Sequence, residues 1–445
     1  MKYDAKEGQG QGRTLSQELT TRLEAYVSPL LSHLTTLLDK RLVRTFLGLI
    51  AVIISFRGYR HGLLLSELGG YLLPPGHAPA GTKRLSNLLH GKWSYKVVEQ
   101  FLWQQAKARV EQLEVLKETI LMLWDESVWE KPESVELEGL GSTRSSKAKR
   151  LTRIKPGFYH PPSKPIFVPG MNWLGVLLVG MKGVPCLVKL RWWTNRGKFA
   201  TDKRSQEVIL LKQLAVWKQR VTHVFDQGFA GTFWLSELKT HNVLFILRWR
   251  KDYKLIDTLG RHRKAWKLTQ GKRSVDYRMV WDARKRCERK AGLYYTQVTH
   301  PETQQVLWLI VSRMGKGRSP WYLLTNQAIT CHEDAWQVIF AYARRWQIEM
   351  AWRFAKAELA FESPRLWQLQ TRLKLLFIAT LAFAFLLLLL LTDHDLAQKL
   401  IHLFCHRTGK KLRQTKAPLY RLRSALARLW IIYPPNFTLL QQNSG

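Results

Sequence analysis

The chain contains few acidic residues. Its 445 residues include 33 Asp and Glu against 70 Lys and Arg, which gives a formal net charge of +37 at pH 7. No acid lies between Glu138 and Asp202, and none follows Asp395. Solubility alone does not require such an excess, so a polyanionic partner is predicted, and nucleic acid is the commonest polyanion. The alternative for the two acid-free stretches, 139–201 and 396–445, is a solvated face, but the missing counter-charges favour a surface that faces phosphates.

Cysteine is equally scarce, with four residues and no CxxC spacing. This spacing argues against a structural zinc site. Free thiols fit a reducing cytoplasm. The first twelve residues are polar and lack the apolar core of a signal peptide, so we expect a cytoplasmic protein.

Long hydrophobic runs are rare, although apolar residues make up 46% of the chain and exclude a disordered protein. The one serious exception is Leu375–Leu391, whose seventeen residues are all apolar or small. That length reaches the lower limit for a membrane-spanning helix. Lys374 and Asp393 flank the run closely, and we interpret it as a helix buried under a sheet, with no membrane partner.

A spaced polar pattern is present between Tyr342 and Lys356. Tyr342, Arg345, Glu349 and Lys356 follow one another at offsets of 0, 3, 7 and 14. On a continuous helix these side chains point within about 60° of each other. An ordinary core helix has apolar residues on its common face, so this polar stripe indicates a functional surface.

Two upstream segments each end an apolar run with an aspartate. The first, Thr119–Asp125, reads TILMLWD, and the second, Val221–Gly228, reads VTHVFDQG. Short apolar runs before a polar turn predict buried strands, with each acid at the end of its strand. For each acid an ordinary alternative exists: Asp125 or Asp226 could cap a helix, and Glu349 could be a solvated charge.

Together the three motifs resemble bacterial insertion-sequence transposases of the DDE, cut-and-paste type, which carry a YREK signature and an Asp-x-Gly-Phe at the second aspartate. The resemblance covers roughly Thr119 to Thr392. It implies an α/β fold with a ribonuclease-H-like catalytic core, interrupted by a mainly β insertion between Asp226 and Glu349. It also implies that Asp125, Asp226 and Glu349 are catalytic residues and metal ligands.

The resemblance further assigns DNA contacts to this part of the chain. Tyr342, Arg345 and Lys356 would hold DNA, together with the adjacent Arg344. Phosphodiester chemistry needs a hard cation, and Mg²⁺ prefers a few carboxylates while it keeps several waters; Mn²⁺ is expected to substitute. Arginine would hold phosphate through two hydrogen bonds and lysine as a point charge. We therefore expect Arg345 and Lys356 to contribute to catalysis more than to stability.

The N-terminal part has helical patterns and one candidate DNA-contact segment. Pro74–Gly76 and Pro79–Gly81 predict a loop, after which Thr82 begins a helix with Lys83 and Arg84 in its first turn. Basic residues there oppose the helix dipole and suggest an external anion. A bundle used for packing and dimerisation is the alternative.

Five regions are predicted. They are a helical DNA-binding or packing domain (1–117), the first part of the catalytic core (118–239), the inserted mainly β domain (240–325), the second part of the core with the YREK helix (326–395), and a basic helical C-terminal segment (396–445).

The chain contains nineteen tryptophans. In related transposases an aromatic residue of the inserted domain stacks on a flipped base, which is physically reasonable. Trp266, Trp281, Trp308 and Trp321 lie in that region, and core packing is the better interpretation of each.

The sequence thus predicts a Mg²⁺-dependent transposase that binds terminal inverted repeats and target DNA. It would cut the strands, transfer them as a homodimer, and act in the bacterial cytoplasm at the nucleoid. A related nuclease or integrase, and a basic nucleic-acid-binding protein without activity, are the alternatives. A membrane protein is a more distant one.

Overall fold

The computed structural model describes residues 5–58, 61–131, 133–134, 136–145, 164–282, 287–315, 319–405 and 419–438. The fold is mixed α/β, as expected, and contains a twelve-stranded, mostly antiparallel sheet. Of the two basic stretches, 139–201 and 396–445, residues 146–163, 406–418 and 439–445 lie outside the described residues.

Five helices precede the sheet: α1 (Ala5–Leu34), α2 (Lys40–Ser55), α3 (Leu65–Leu72), α4 (Ala78–His90) and α5 (Lys96–Val115). In α1 the buried side chains recur at helical spacing, as in Leu15, Leu19 and Leu23. The prediction of a loop at Pro79–Gly81 was wrong, because α4 already begins at Ala78 with Pro79 in its first turn, where its missing N–H is not needed.

The first half of the sheet contains β1 (Leu121–Glu130), β2 (Gly141–Arg144), β3 (Phe167–Val179), β4 (Cys186–Trp193), β5 (Thr222–Phe225) and β6 (Leu244–Arg248). The central strand β1 is antiparallel to β3 and parallel to β5, and β5 is parallel to β6. Both β2 and β4 pair with the other edge of β3. Helix α6 (Lys203–Leu214) precedes β5, and α7 (Thr232–Thr240) connects β5 to β6.

The second half of the sheet continues from the first without a break. It contains β7 (Lys254–Ile256), β8 (His262–Lys264), β9 (Asp276–Asp282), β10 (Cys287–Thr299), β11 (Val306–Arg313) and β12 (Trp321–Thr325), with one short helix, α8 (Ala265–Thr269). Strand β12 pairs antiparallel with β6, so the chain returns to the edge of the parallel strands. Strands β7 to β12 all lie within 240–325, the region predicted to be mainly β.

Helices follow the sheet: α9 (His332–Arg344), α10 (Trp346–Ala357), α11 (Leu369–Thr392), α12 (His394–Phe404) and α13 (Leu419–Ile432). The prediction of one continuous YREK helix was wrong, because α9 and α10 meet at Arg345. The N–H of Arg345 donates to the Tyr342 carbonyl (3.0 Å), and that of Ile348 donates to the Arg345 carbonyl (3.1 Å). These bonds span three residues instead of four, which tightens the turn and rotates α10 relative to α9.

Helix α11 contains the long apolar run. By length and composition it could cross a membrane, but 83% of its most apolar stretch is buried inside the protein. It packs against α2, α5, α12 and β4, which confirms the predicted buried helix.

Two hydrophobic cores cover the two faces of the sheet. On β1, Leu121 and Leu123 belong to the core formed with α10 and α11, whereas Met122 and Trp124 belong to the opposite core with α6 and α7. Because side chains alternate along a strand, Asp125 lies on the α10 face and Glu126 on the α6 face.

Candidate active site

Asp125 lies within β1 and not at its end, so that prediction was wrong. Pairing with β5 covers Leu121–Leu123, whereas pairing with β3 continues along the whole strand and places Asp125 opposite Gly175. The long antiparallel partner therefore extends β1 beyond the point where its parallel neighbour ends. Asp125 comes two residues after the last of these parallel pairs, where the edge of the sheet opens.

Asp226 follows β5 directly, as predicted. Its carboxylate accepts a hydrogen bond from the Gly228 N–H (2.7 Å) and caps the short 3₁₀ turn Gln227–Phe229. Because β1 and β5 are parallel neighbours, their carboxyl-terminal halves bring Asp125 and Asp226 to the same edge.

Trp124, directly before Asp125, and His223, three residues before Asp226, connect these strands. The Trp124 indole N–H donates to His223 Nδ1 (2.9 Å), and both side chains are buried. Burial lowers the pKa of His223 to about 3, so this imidazole is neutral at physiological pH. A neutral aromatic pair thus fixes the spacing of the two strands without adding charge.

Arg345 brings Glu349 to the two aspartates. Its Nη2 contacts Glu349 Oε1 one turn along α10, and its Nη1 lies 3.7 Å from Asp125 Oδ1. The Arg345 side chain is only 11% exposed. The structure therefore brings Asp125, Asp226, Glu349 and Arg345 together, which the sequence pattern predicted for widely separated residues.

The electrostatics of these groups are coupled. Burial raises the pKa of Asp125 to about 8; Arg345 opposes this shift, while Asp226 and Glu349 add to it. Burial by itself would lower the pKa of Arg345, but Tyr342 and the three carboxylates raise it overall. Three acids thus act on one another around a single guanidinium.

Gly175 lets α10 approach the sheet. A Cβ at this position would overlap the indole ring of Trp352, which lies one turn after Glu349. The Trp352 ring also packs on that of Trp173 at 5.1 Å between centroids. Because Gly175, opposite Asp125, has no side chain, α10 can lie close to β1. Sequence reasoning missed this residue, although a glycine inside an apolar strand is a signal for close approach.

Lys356 differs from the predicted phosphate-binding residue. Its Nζ donates to the Val128 carbonyl of β1 and lies 3.2 Å from Glu362 Oε1. The side chain is 16% exposed and lies over the Trp173 ring. These contacts give it a role in attaching α10 to β1.

Tyr342 and Arg344 also have interior partners. Tyr342 is buried, and its ring meets that of Trp321 edge to face at 5.0 Å. Arg344 donates to the carbonyls of Gly180 (3.2 Å) and Gly183 (2.6 Å), in the turn between β3 and β4. Both side chains thus pack α9 onto the sheet, and the DNA contacts that the resemblance implies for them stay a prediction.

Lys83 and Arg84 are exposed on α4. They occupy the second turn and not the first, because the helix begins five residues before Lys83. Arg84 lines a groove of about 1290 Å³ whose wall also includes Arg41 and Arg44 of α2. Contrary to the prediction, Lys83 and Arg84 therefore do not oppose the helix dipole in the first turn, but Arg84 still lines an accessible basic groove.

A basic cavity beside the site was not anticipated. It has a volume of about 720 Å³ and begins at Gln227, next to Asp226. Its wall includes Arg248, Lys251, Lys264 and Trp266. The sequence signal was the basic run directly after β6, RWRK, which follows a buried strand.

The other tryptophans in this region have different environments. Trp281 is 63% exposed, whereas Trp308 and Trp321 are half-buried and pack on tyrosines. Core packing therefore accounts for two of the four, and Trp266 and Trp281 are accessible.

On the opposite face of β1, Lys203 joins two glutamates. Its Nζ lies 2.6 Å from Glu126 Oε2 and 3.5 Å from Glu207 Oε1. Burial raises the pKa of Glu207 to about 7, although Lys203 acts in the opposite direction. This ion-pair group attaches α6 to β1 next to Asp125.

The residues present fit a hard divalent cation, with one condition. In the described part of the chain no three acidic, histidine or cysteine side chains are grouped closely enough to hold a metal as they stand. Asp125 nevertheless lies 3.7 Å from Nη1 of Arg345, which is buried without a hydrogen-bond partner, and Glu349 contacts its Nη2. Asp226 is close enough for its charge to raise the pKa of Arg345. Oxygen donors of this kind are what Mg²⁺ prefers, and they could converge if the guanidinium moved.

No family model matches this chain, and no curated protein matches its sequence.

Proposed function

We propose that this protein is a DDE transposase that cuts and pastes an insertion sequence with Mg²⁺. The observation that carries the proposal is the convergence of Asp125, Asp226 and Glu349 on Arg345, from a strand interior, a strand end and a helix. Burial of Asp125 beside two other carboxylates costs stability, so a protein that keeps these acids next to one guanidinium has a functional reason to do so.

The sheet supports a ribonuclease-H-like catalytic core. Strands β4, β3 and β1 are antiparallel neighbours, and β5 and β6 follow β1 in parallel. Helices cover both faces, and Asp226 lies at the carboxyl end of a parallel strand, a common position for ligand sites in α/β proteins. Strands β7 to β11, between the core strand β6 and β12, correspond to the proposed mainly β insertion.

In this proposal Asp125, Asp226 and Glu349 hold Mg²⁺, for which Mn²⁺ would substitute. The bound cation would activate the attacking oxygen and stabilise the leaving one. Arg345 would move from the carboxylates to the phosphate beside the scissile bond, which it can hold through two hydrogen bonds. The core would thus supply the catalytic acids, and the DNA would supply the phosphate that Arg345 holds.

The basic surfaces suit double-stranded DNA as the partner. The cavity next to Asp226 carries Arg248, Lys251 and Lys264, and the groove on the N-terminal helices carries Arg41 and Arg84. We propose that these two surfaces bind DNA strands near the cut site and the terminal repeats, respectively. Two protomers would pair the element ends, and the site of action would be the bacterial nucleoid.

Substitution of each acid tests the proposal. Asp125→Asn, Asp226→Asn and Glu349→Gln should each abolish strand cleavage and leave DNA binding nearly intact, since they remove metal ligands and not phosphate contacts. A nicking assay on end-containing DNA, beside a gel-shift assay, measures both. Glu111→Gln on the exposed side of α5 is the matched control and should cleave normally.

The same assays separate the rival functions. A wild-type protein that binds DNA but never cuts it would be an inactive nucleic-acid-binding protein. Cleavage without joining of the ends to target DNA would indicate a related nuclease. Full cleavage by any acid variant would remove that residue from the site.

A further inference from the structure

The position of Arg345 has a consequence for how a metal enters the site. Its guanidinium lies between Asp125 and Glu349, in contact with the second and 3.7 Å from the first. The latter distance exceeds that of a hydrogen bond, and Nη1 is buried without a partner. The side chain therefore fills the space between the acids but satisfies its donors on one side only.

Charge explains why it stays there. Three carboxylates close together repel one another, and a guanidinium that is always protonated is the cation the chain itself can supply. One positive charge offsets only part of the negative charge of these acids. The site therefore retains a net attraction for further cations, as long as they can reach the oxygens.

Space and charge both prevent simultaneous occupation. Mg²⁺ requires oxygen ligands at about 2.0–2.1 Å in near-octahedral geometry. Carboxylates separated by a guanidinium cannot converge to that distance, and a divalent cation would repel the guanidinium at this range.

The surroundings allow Arg345 to leave. It lies at the junction of α9 and α10, where the neighbouring Trp346 is 48% exposed, so the solvent boundary is one residue away. Glu349 itself is 33% exposed. A side-chain rotation can therefore move the guanidinium outward without unfolding either helix.

We propose that Arg345 is an internal counter-ion that stabilises the metal-free site and that a divalent cation must displace before it binds. This inference rests on the proposed function, because it assumes that the three acids are metal ligands. Binding of the metal would then release Arg345, which could hold phosphate, so that the two events are coupled.

Binding of Mn²⁺ alone, without DNA, tests the inference. Free Mn²⁺ is measured by electron paramagnetic resonance during titration of the wild type, Arg345→Gln and Arg344→Gln. Removal of the competing cation should tighten Mn²⁺ binding about tenfold in Arg345→Gln. Arg344→Gln removes an equal charge one residue away, on a side chain bound to Gly180 and Gly183, and should bind as the wild type does.

Thermal melting gives a second readout. In EDTA, Arg345→Gln should melt earlier than the wild type, because its carboxylates lose their counter-ion, and added Mn²⁺ should raise its melting temperature more. If this variant does not fold, Arg345→Lys takes its place: it keeps the charge but has a single ammonium group, so we expect tightening of a few-fold.

The outcomes distinguish this inference from the proposed function. Wild-type or weaker Mn²⁺ affinity in folded Arg345→Gln, or in Arg345→Lys when Gln fails to fold, would overturn the counter-ion role alone. Wild-type protein that binds Mn²⁺ no better than Asp125→Asn would overturn the metal site, and with it the proposed function.

Discussion

Gly175 lies on β3 opposite Asp125 and beneath the Trp352 ring of α10, so Gly175→Ala should displace the helix that carries Glu349. The added methyl group overlaps the indole ring and also approaches Leu190 at 2.9 Å. Trp352 is itself confined, because it is almost fully buried against Trp173. The strain must therefore be relieved by movement of α10 away from β1.

The expected magnitude follows from packing. Overpacking of a core by one methyl group typically costs about 1–3 kcal/mol. A displacement of catalytic groups by about 1 Å can reduce a rate by roughly 10²-fold. We therefore expect Gly175→Ala to lose cleavage by about two orders of magnitude while its melting temperature falls by only a few degrees.

Cleavage of end-containing DNA and thermal melting measure the two effects on the same samples. Gly76→Ala is the matched control, because a Cβ there meets nothing within 4 Å. Gly175→Ala combined with Trp352→Phe should recover part of the loss, since the smaller ring makes room for the methyl group. Wild-type cleavage and melting in Gly175→Ala would refute the described packing of α10 on β1.

Three further predictions concern charge. Lys83→Ala and Arg84→Ala should each weaken DNA binding, because each removes a contact with about one phosphate. The slope of log affinity against log salt concentration should then become shallower by roughly 0.9. An unchanged slope would show that the residue does not contact DNA. Lys356→Ala should melt earlier than the wild type and lose activity with the folded fraction, because its contacts lie within the protein, whereas normal melting with lost cleavage would restore the phosphate role. The pKa of Glu207 is raised from 4.5 to about 7, so the folded state holds a proton that the unfolded state releases, and the stability that this proton contributes is lost as pH rises from about 4.5 to 7. The melting temperature of Glu207→Gln should therefore fall less than that of the wild type between pH 5 and 8. Parallel curves of melting temperature against pH would contradict this.

Local sequence signals predicted much of the fold. Apolar runs located β1 and β5, and helical spacing located α1, because side-chain periodicity depends only on which face is buried. Short strands such as β2 and β8, which are polar, gave no such signal. The end of β1 was not predictable in this way. Its length depends on pairing with β3, which starts more than forty residues later, and no local residue records how far that pairing extends.

The polar stripe Tyr342–Lys356 shows a second limit. A helical pattern states which side chains share a face, but not whether that face meets solvent, a strand or a ligand. Here Tyr342 packs on Trp321, and Lys356 binds a β1 carbonyl. Only Arg345 and Glu349 remain next to the aspartates, since the break between the helices turns them towards the edge where β5 ends. The pairing of these two residues could be predicted from their spacing, whereas their distance from Asp125 depends on Gly175, a residue on another strand.

In the proposed function the same pair would let the site be both stable and reactive. If the three acids were separated by packing alone, a metal would have to reorganise the backbone to bind them. With Arg345 as the separating group, only a side chain must move, and the energy of the metal–carboxylate contacts replaces that of an ion pair already present. In the proposed function the guanidinium would then be released when DNA phosphate, the other strong anion at the site, needs a cation. A chain with this arrangement should accordingly bind metal more tightly when DNA is present, because the phosphate stabilises the outward position of Arg345. Mn²⁺ titration with and without a short duplex would measure this coupling, and equal affinities would argue that Arg345 does not pass between the two anions.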